Sequence, residues 1–302
     1  MNGPYIREGT GGKWADARSV PASFLELTKP GIILSNLLAC AAGFWLGSGG
    51  NPDWVRFLMT LGGTALVIAG SCTLNNWIDR DIDRLMERTR YRPLPTGRIT
   101  PAQALLAGFG LTTGGLLTLL YRVNEQSALL AASGALSYVV VYSLWLKRVT
   151  TWNTVIGSFS GAIPPLIGWV AASGTVNVGA WALFAFLFLW QPPHFFALAM
   201  LKKKDYQRAG IPMLPVVKGS RATRGQILFF VSILLPVSLW LHAVGVVGLG
   251  YFMVALVLGG IYLFLAMTGW RPDREERWAR LLFRYSLIYL SGMLAAMIFF
   301  VQ

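Results

Sequence analysis

The sequence predicts an all-α, polytopic membrane protein of nine transmembrane helices. Three observations carry that fold class. Of the 302 residues 55% are hydrophobic, and only 13% are charged, about half the share of roughly 25% usual for a globular chain. The apolar residues gather in runs near the ~20 residues that cross a bilayer. The 26 Lys and Arg against 13 Asp and Glu fall almost wholly in alternate connections between those runs. So apolar a chain is no disordered basic tail. Its sparse cations, set between apolar runs, exclude a nucleic-acid partner and name the lipid bilayer as the surroundings.

Residues 1–25 are mostly polar, with Pro4, Gly9, Gly11, Gly12 and Pro21 and no apolar signal-peptide core. They read as a flexible N-terminal arm ahead of one transmembrane domain over 26–302. The nine spans are expected at 31–48, 57–77, 102–121, 127–146, 152–172, 180–200, 226–244, 248–268 and 285–301. The connections on the N-terminal side hold 24 of the 26 cations; the opposite set holds only Arg56 and Arg122. The positive-inside rule then places the N-terminus inside and the C-terminus outside. Trp45, Trp54, Trp152, Trp169, Trp240 and Trp270 fall near span ends, as an aromatic belt would. Cys40 and Cys72 sit inside apolar runs and read as small buried hydrophobes.

Two inside connections carry chemistry. After the second span comes Asn75-Asn76-Trp77-Ile78-Asp79-Arg80-Asp81-Ile82-Asp83-Arg84. Asn75, Asp79 and Asp83 recur every four residues, so on a helix they share one face. Arg80, Arg84 and Arg88 repeat that spacing one residue later, as a neighbouring stripe. Clustered carboxylates repel unless a positive charge lies between them, and hard oxygen donors suit Mg²⁺ together with substrate phosphate oxygens. Arginines alongside suit the phosphate by charge-assisted bonding. The pattern predicts a Mg²⁺–diphosphate cradle; a solvated helix end laced with Asp–Arg pairs is the plainer alternative. After the sixth span, Pro192-Pro193-His194 is expected to interrupt the helix. Lys202-Lys203-Lys204-Asp205 follows, in which Asp205 is either a further metal carboxylate or a partner for Lys202.

Four blocks resemble the UbiA superfamily of intramembrane prenyltransferases, and within it the heme-modifying branch. They are Leu27-Thr28-Lys29-Pro30-Gly31, the stretch from Asn75 to Gly97 with Arg90-Tyr91-Arg92-Pro93-Leu94-Pro95, the stretch from Tyr142 to Gly168 with Lys147-Arg148, and the stretch from Pro192 to Gly219 with Asp205-Tyr206 and Gly210-Ile211-Pro212-Met213. Together they span about residues 25 to 220. Quinone-type members carry a second acid-rich motif; here Leu201 stands four residues before Asp205, so one carboxylate remains there.

The resemblance implies a nine-helix bundle around a central cavity, capped by the two inside loops. It implies transfer of a farnesyl group from farnesyl diphosphate to a vinyl group of heme B, with water adding to give heme O. Heme B is then a substrate and Mg²⁺ the cofactor. Asn75, Asp79 and Asp83 would hold the metal, helped by Asp205. Lys29, Arg80, Arg84, Arg88, Arg90, Arg92, Lys147 and Lys202 are candidates for the diphosphate, and His194 for a heme contact, with capping of a broken helix as its alternative. The membrane implied is the bacterial cytoplasmic one, with the active loops on the cytoplasmic side. A heme A synthase or an oxidase-assembly protein is a conceivable neighbour, to which no residue points. Two other readings stay open: prenyl transfer to another aromatic or tetrapyrrole acceptor, and a membrane transporter.

Overall fold

In the computed structural model the described residues are 19–270 and 275–302. Most of the expected arm, and the cations Arg7, Lys13, Arg18, Arg271 and Arg274, lie outside them. What is described of the arm is helical: α1 (Val20–Thr28) covers its last residues. Among the described residues nine helices are long and apolar enough to cross a membrane. They are α2 (Pro30–Gly47), α3 (Trp54–Asp83), α4 (Pro101–Arg122), the composite Glu125–Val149, α7 (Asn153–Ser173), α8 (Val178–Leu201), α11 (Gly219–Ala243), α12 (Leu249–Met267) and α13 (Glu275–Phe299). The composite span joins α5 (Glu125–Leu136), a π-helical stretch Ser137–Leu146, and α6 (Lys147–Val149). Short helices α9 (Lys203–Arg208) and α10 (Leu214–Val217) lie in the connection after α8.

Local chemistry starts these helices where the apolar runs begin. The Asp53 side chain accepts from the Val55 and Arg56 amides at the head of α3. Thr100 and Gln103 form a reciprocal capping box ahead of Pro101. Asn124 and Asn177 cap α5 and α8 by accepting from Ser127 and Ala180. Each satisfies a donor that a helix start leaves open.

Three expected boundaries move for a common reason. Helices α3, α11 and α13 run beyond their apolar cores, to Asp83, from Gly219 and from Glu275. Partners at the polar ends support the extra turns: Arg224 on α11 pairs with Glu275 on α13 at 3.0 Å. The expected break at Pro192-Pro193 is absent, and α8 is continuous through both prolines. It is packed by α7, α11 and α13, and neighbouring helices commonly let a membrane helix absorb proline.

In lipid, helices associate through close backbone approach at small residues. Helices α2 and α7 show it: a Cβ added to Gly43 would lie 2.0 Å from the Pro165 carbonyl oxygen, and one on Gly168 2.0 Å from that of Cys40. Trp169, expected in the aromatic belt, is buried in this contact region, while Trp54, Trp152 and Trp240 are exposed. The C-terminus is tied to the α11–α12 turn by the Gln302 amide donating to Val246. At the opposite end of the bundle, the end of α1, the end of α3 and α6 converge. That end holds the site.

Candidate active site

Because α3 continues past its apolar run, its last turns place Asn75, Asp79 and Asp83 on one buried face, 3%, 1% and 1% exposed. Buried carboxylates need partners, and three different segments supply cations. Lys147, on α6, pairs with Asp79 through Oδ2. Arg92, from the loop after α3, pairs with Asp83 at 2.8 Å. Lys29, between α1 and α2, donates to Asn75 Oδ1 at 2.5 Å. Three half-buried cations against two buried carboxylates leave one positive charge in excess near the membrane end.

Neighbouring amides and a hydroxyl fix the group. Asn75 Nδ2 donates to Asp79 Oδ2 at 2.9 Å and to Ser143 Oγ at 2.8 Å. Asn76 Nδ2 donates to the Leu27 carbonyl at 2.8 Å, and its Oδ1 accepts from Arg92 at 3.2 Å. One asparagine thus ties α1 and the following loop to α3. Ser143 lies in the π-helical stretch, and its Oγ donates to the carbonyl of Tyr138, five residues back, the spacing of that winding. Neither Asn76 nor Ser143 was singled out by spacing. A π-turn has no simple sequence signature, so only the fold shows Ser143 beside Asn75.

Lys29 is the one non-glycine residue with positive φ among the described residues, at 55°. The proline that follows disfavours the α region there, and the left-handed turn redirects the chain from α1 into α2. Such conformations cost about 1–3 kcal/mol and persist where the surroundings hold them. Here the side chain is anchored on Asn75. Burial pushes the Lys29 ammonium down to about 8, and the positive charges of Arg92 and Lys147 press the same way against the pull of Asp79.

The second arginine stripe does not join this group. Arg80 lies over the Trp77 ring at 4.7 Å and donates to the Trp77 carbonyl. With Arg84 and Asp81 it lines an open cavity of about 300 Å³ on the other face of α3. Asp81 is held there by Arg148 through two bonds of 2.7 Å. Arg88 leaves the stripe altogether, because α3 ends at Asp83. The Thr89 hydroxyl donates to the Asp83 carbonyl and turns the chain back, and Arg88 meets the Tyr206 ring at 5.6 Å. Arg90 covers Tyr91 at 4.7 Å. Lys202 is exposed, and neither it nor Asp205 has an ion-pair partner among the described residues. The loop carrying Asp205 packs on the end of α3, through Tyr206, Ala209, Ile211 and Met213 against Ile82 and Met86.

His194 stands apart from the acid stripe, in the seam between α8 and α13. Its Nδ1 lies 2.7 Å from Ser286 Oγ. Its ring is sandwiched by Trp190 and Phe283, with centroids at 4.9 and 4.7 Å. Because α8 is unbroken, His194 caps no freed helix end.

Comparison with known proteins gives this arrangement a setting. Residues 36–288 match the UbiA prenyltransferase family. The chain is 47% identical over 280 residues to the protoheme IX farnesyltransferase of Alkalihalophilus pseudofirmus, covering 91% of this chain and 88% of that protein. It is 47% identical to protoheme IX farnesyltransferase 2 of Bacillus subtilis, covering 91% and 90%, and 45% identical to the protoheme IX farnesyltransferase of Bacillus licheniformis, covering 99% and 94%. Among solved structures, a digeranylgeranylglyceryl phosphate synthase superposes with a TM-score of 0.79 at 20% identity, over 93% of this chain and 98% of that one. A UbiA homolog from Archaeoglobus fulgidus bound to DMAPP and Mg²⁺ superposes with a TM-score of 0.68 at 20% identity, over 89% and 99%. A nine-span bundle with an acid stripe at one end, matched over most of its length by these sequences and folds, is what a shared ancestry leaves, and the chain belongs to the UbiA prenyltransferase family.

Proposed function

We propose that the chain is a heme farnesyltransferase. It moves the farnesyl group of farnesyl diphosphate to a vinyl group of heme B, with addition of water, and releases heme O and diphosphate. The observation that carries the reading is the 45–47% identity, over nine-tenths of the chain or more, to proteins named for that reaction. The buried acid stripe with its excess positive charge supports it.

The donor set fits Mg²⁺. Asp79 Oδ1 is buried and has no hydrogen-bond partner among the described residues, while Oδ2 is taken by Asn75 and Lys147. Among the described residues no three His, Cys, Asp or Glu are grouped to hold a metal. Mg²⁺ typically takes one or two carboxylates and completes its shell with water and phosphate oxygens. Asp79 and Asp83 are the residues that would hold it, with Asn75 orienting Asp79 and Asp205 the helper on the facing loop. When bound, the metal supplies positive charge to the departing diphosphate.

Lys29, Lys147 and Arg92 bind and orient the diphosphate, and they stabilise the negative charge that grows as the C1–O bond breaks. The bonding pair leaves with the diphosphate and an allylic cation remains. The stacked rings of Tyr138 and Tyr142, 5.8 Å apart on the π-helical stretch, offer that cation their negative faces. A vinyl carbon of heme attacks it. Water then adds to the resulting cation and gives up a proton. Apolar helices around the site limit premature hydrolysis. The cation-rich connections support a cytoplasmic position for this end of the bundle.

The test is product formation. Membranes holding the chain, incubated with heme B, farnesyl diphosphate and Mg²⁺, are expected to yield heme O by mass spectrometry, and chelation is expected to stop it. Absence of heme O, with another prenylated acceptor formed instead, would overturn the heme assignment.

A further inference from the structure

A single residue of α13 clamps the α8 seam. The Ser286 carbonyl accepts from Trp190 Nε1 at 2.9 Å, and its hydroxyl oxygen lies 2.7 Å from His194 Nδ1. The same oxygen lies 2.6 Å from the Phe283 carbonyl oxygen. A serine hydroxyl has one proton, and a carbonyl has none to give. Two oxygens at 2.6 Å without a proton between them would repel, so the Ser286 proton is spent on Phe283. Toward His194, Oγ therefore has only a lone pair to offer. The imidazole must donate, and Nδ1 carries its proton. In the neutral ring the lone pair is then on Nε2, which makes no hydrogen bond among the described residues. Trp190 on one face and Phe283 on the other hold the ring plane, at interplanar angles of 21° and 27°.

A neutral imidazole whose one nitrogen is fixed by a hydrogen bond and whose other is left free is prepared for iron. We propose that Ser286 is a positioning residue. It selects the Nδ1–H tautomer of His194 and so presents Nε2 to the iron of the heme substrate. This rests on the heme reading given above. Neither the acid stripe nor its cations take part, so the heme and the diphosphate would be gripped by separate halves of the bundle.

The experiment titrates the full-length detergent-solubilised protein with heme B and follows affinity and the iron spectrum. His194→Ala is expected to lose the histidine–iron signature and to recover it with added imidazole. Ser286→Ala is expected to weaken heme binding about 10-fold, the lower end for loss of an outer partner of a metal ligand, and to alter the spectrum. Ser286→Thr, which keeps the hydroxyl, is expected to restore both. Trp190→Phe removes the other half of the clamp and leaves the tautomer, so its spectrum is expected to match the parent protein.

A normal spectrum and affinity for Ser286→Ala, alongside loss in His194→Ala, would overturn the role of Ser286 while leaving the heme contact of His194 in place. Equal loss in Ser286→Ala and Trp190→Phe would reduce Ser286 to packing and also overturn it. An unchanged spectrum in His194→Ala would remove the ligand itself, and the proposal with it. Heme O production by that variant would still support the overall reaction.

Discussion

Asp79 and Asp81 stand two residues apart on the last turns of α3, and their surroundings are opposite. Asp79 is sealed against Lys147 and Asn75, with one oxygen lacking any partner among the described residues. Asp81 has a side chain 58% exposed and is satisfied at both oxygens by Arg148. The two faces of one helix end thus separate a charged group kept short of partners from one that has all it needs. An unmet buried lone pair is costly, and a bound cation would meet it. An exposed, fully bonded pair is worth little in stability and offers a ligand nothing. The contrast extends to the arginines: Arg92 is drawn onto the buried face by Asp83, while Arg80 and Arg84 line the open cavity on the other.

The largest expected effect tests the carboxylates. Asp79→Asn and Asp83→Asn should each lower kcat for heme O formation by about 100-fold or more, on the scale of removing one electrostatic contributor to a transition state. Asp81→Asn should stay within about 3-fold, as an exposed pair warrants. Comparable losses in all three would erase the distinction between the faces.

Next in size is the cation comparison. Lys147→Gln and Arg92→Gln should raise KM for farnesyl diphosphate about 10-fold, or about 1.4 kcal/mol, the size of a charge-assisted bond. Each also leaves a buried carboxylate unpaired, so folding must be checked by size exclusion. Arg80→Gln and Arg84→Gln should leave KM within about 2-fold. A 10-fold rise in the latter pair would move the diphosphate to the outer face.

The smallest effect concerns stability. A double-mutant cycle on Asp81 and Arg148, read from thermal unfolding in detergent, should give a coupling of about 1 kcal/mol or less, given the exposure of both side chains. A much larger coupling would show that the outer pair is shielded after all.

Much of this was legible from residue order. The nine expected spans each find a helix, since apolar length and the spacing of cations act locally. Asn75, Asp79 and Asp83 share a face because four-residue spacing fixes that on any helix. Extending the arginine stripe to Arg88 failed because the end of α3 is set by Thr89 and Arg92 folding back onto Asp83, a contact no helical period contains. The break expected at Pro192-Pro193 failed for a related reason. Proline removes donors locally, but the neighbours of α8 decide whether the helix survives.

The sequence by itself determined that this is a membrane bundle, where its spans lie, and which carboxylates line one face of α3. Composition and period follow from the chain alone. Only the tertiary structure decided which of several cations reach those carboxylates, that Asn76 and Ser143 hold the group together, and that His194 answers to Ser286. Those choices depend on which helix ends meet, and contacts between residues 46 to 92 positions apart have no trace in local spacing.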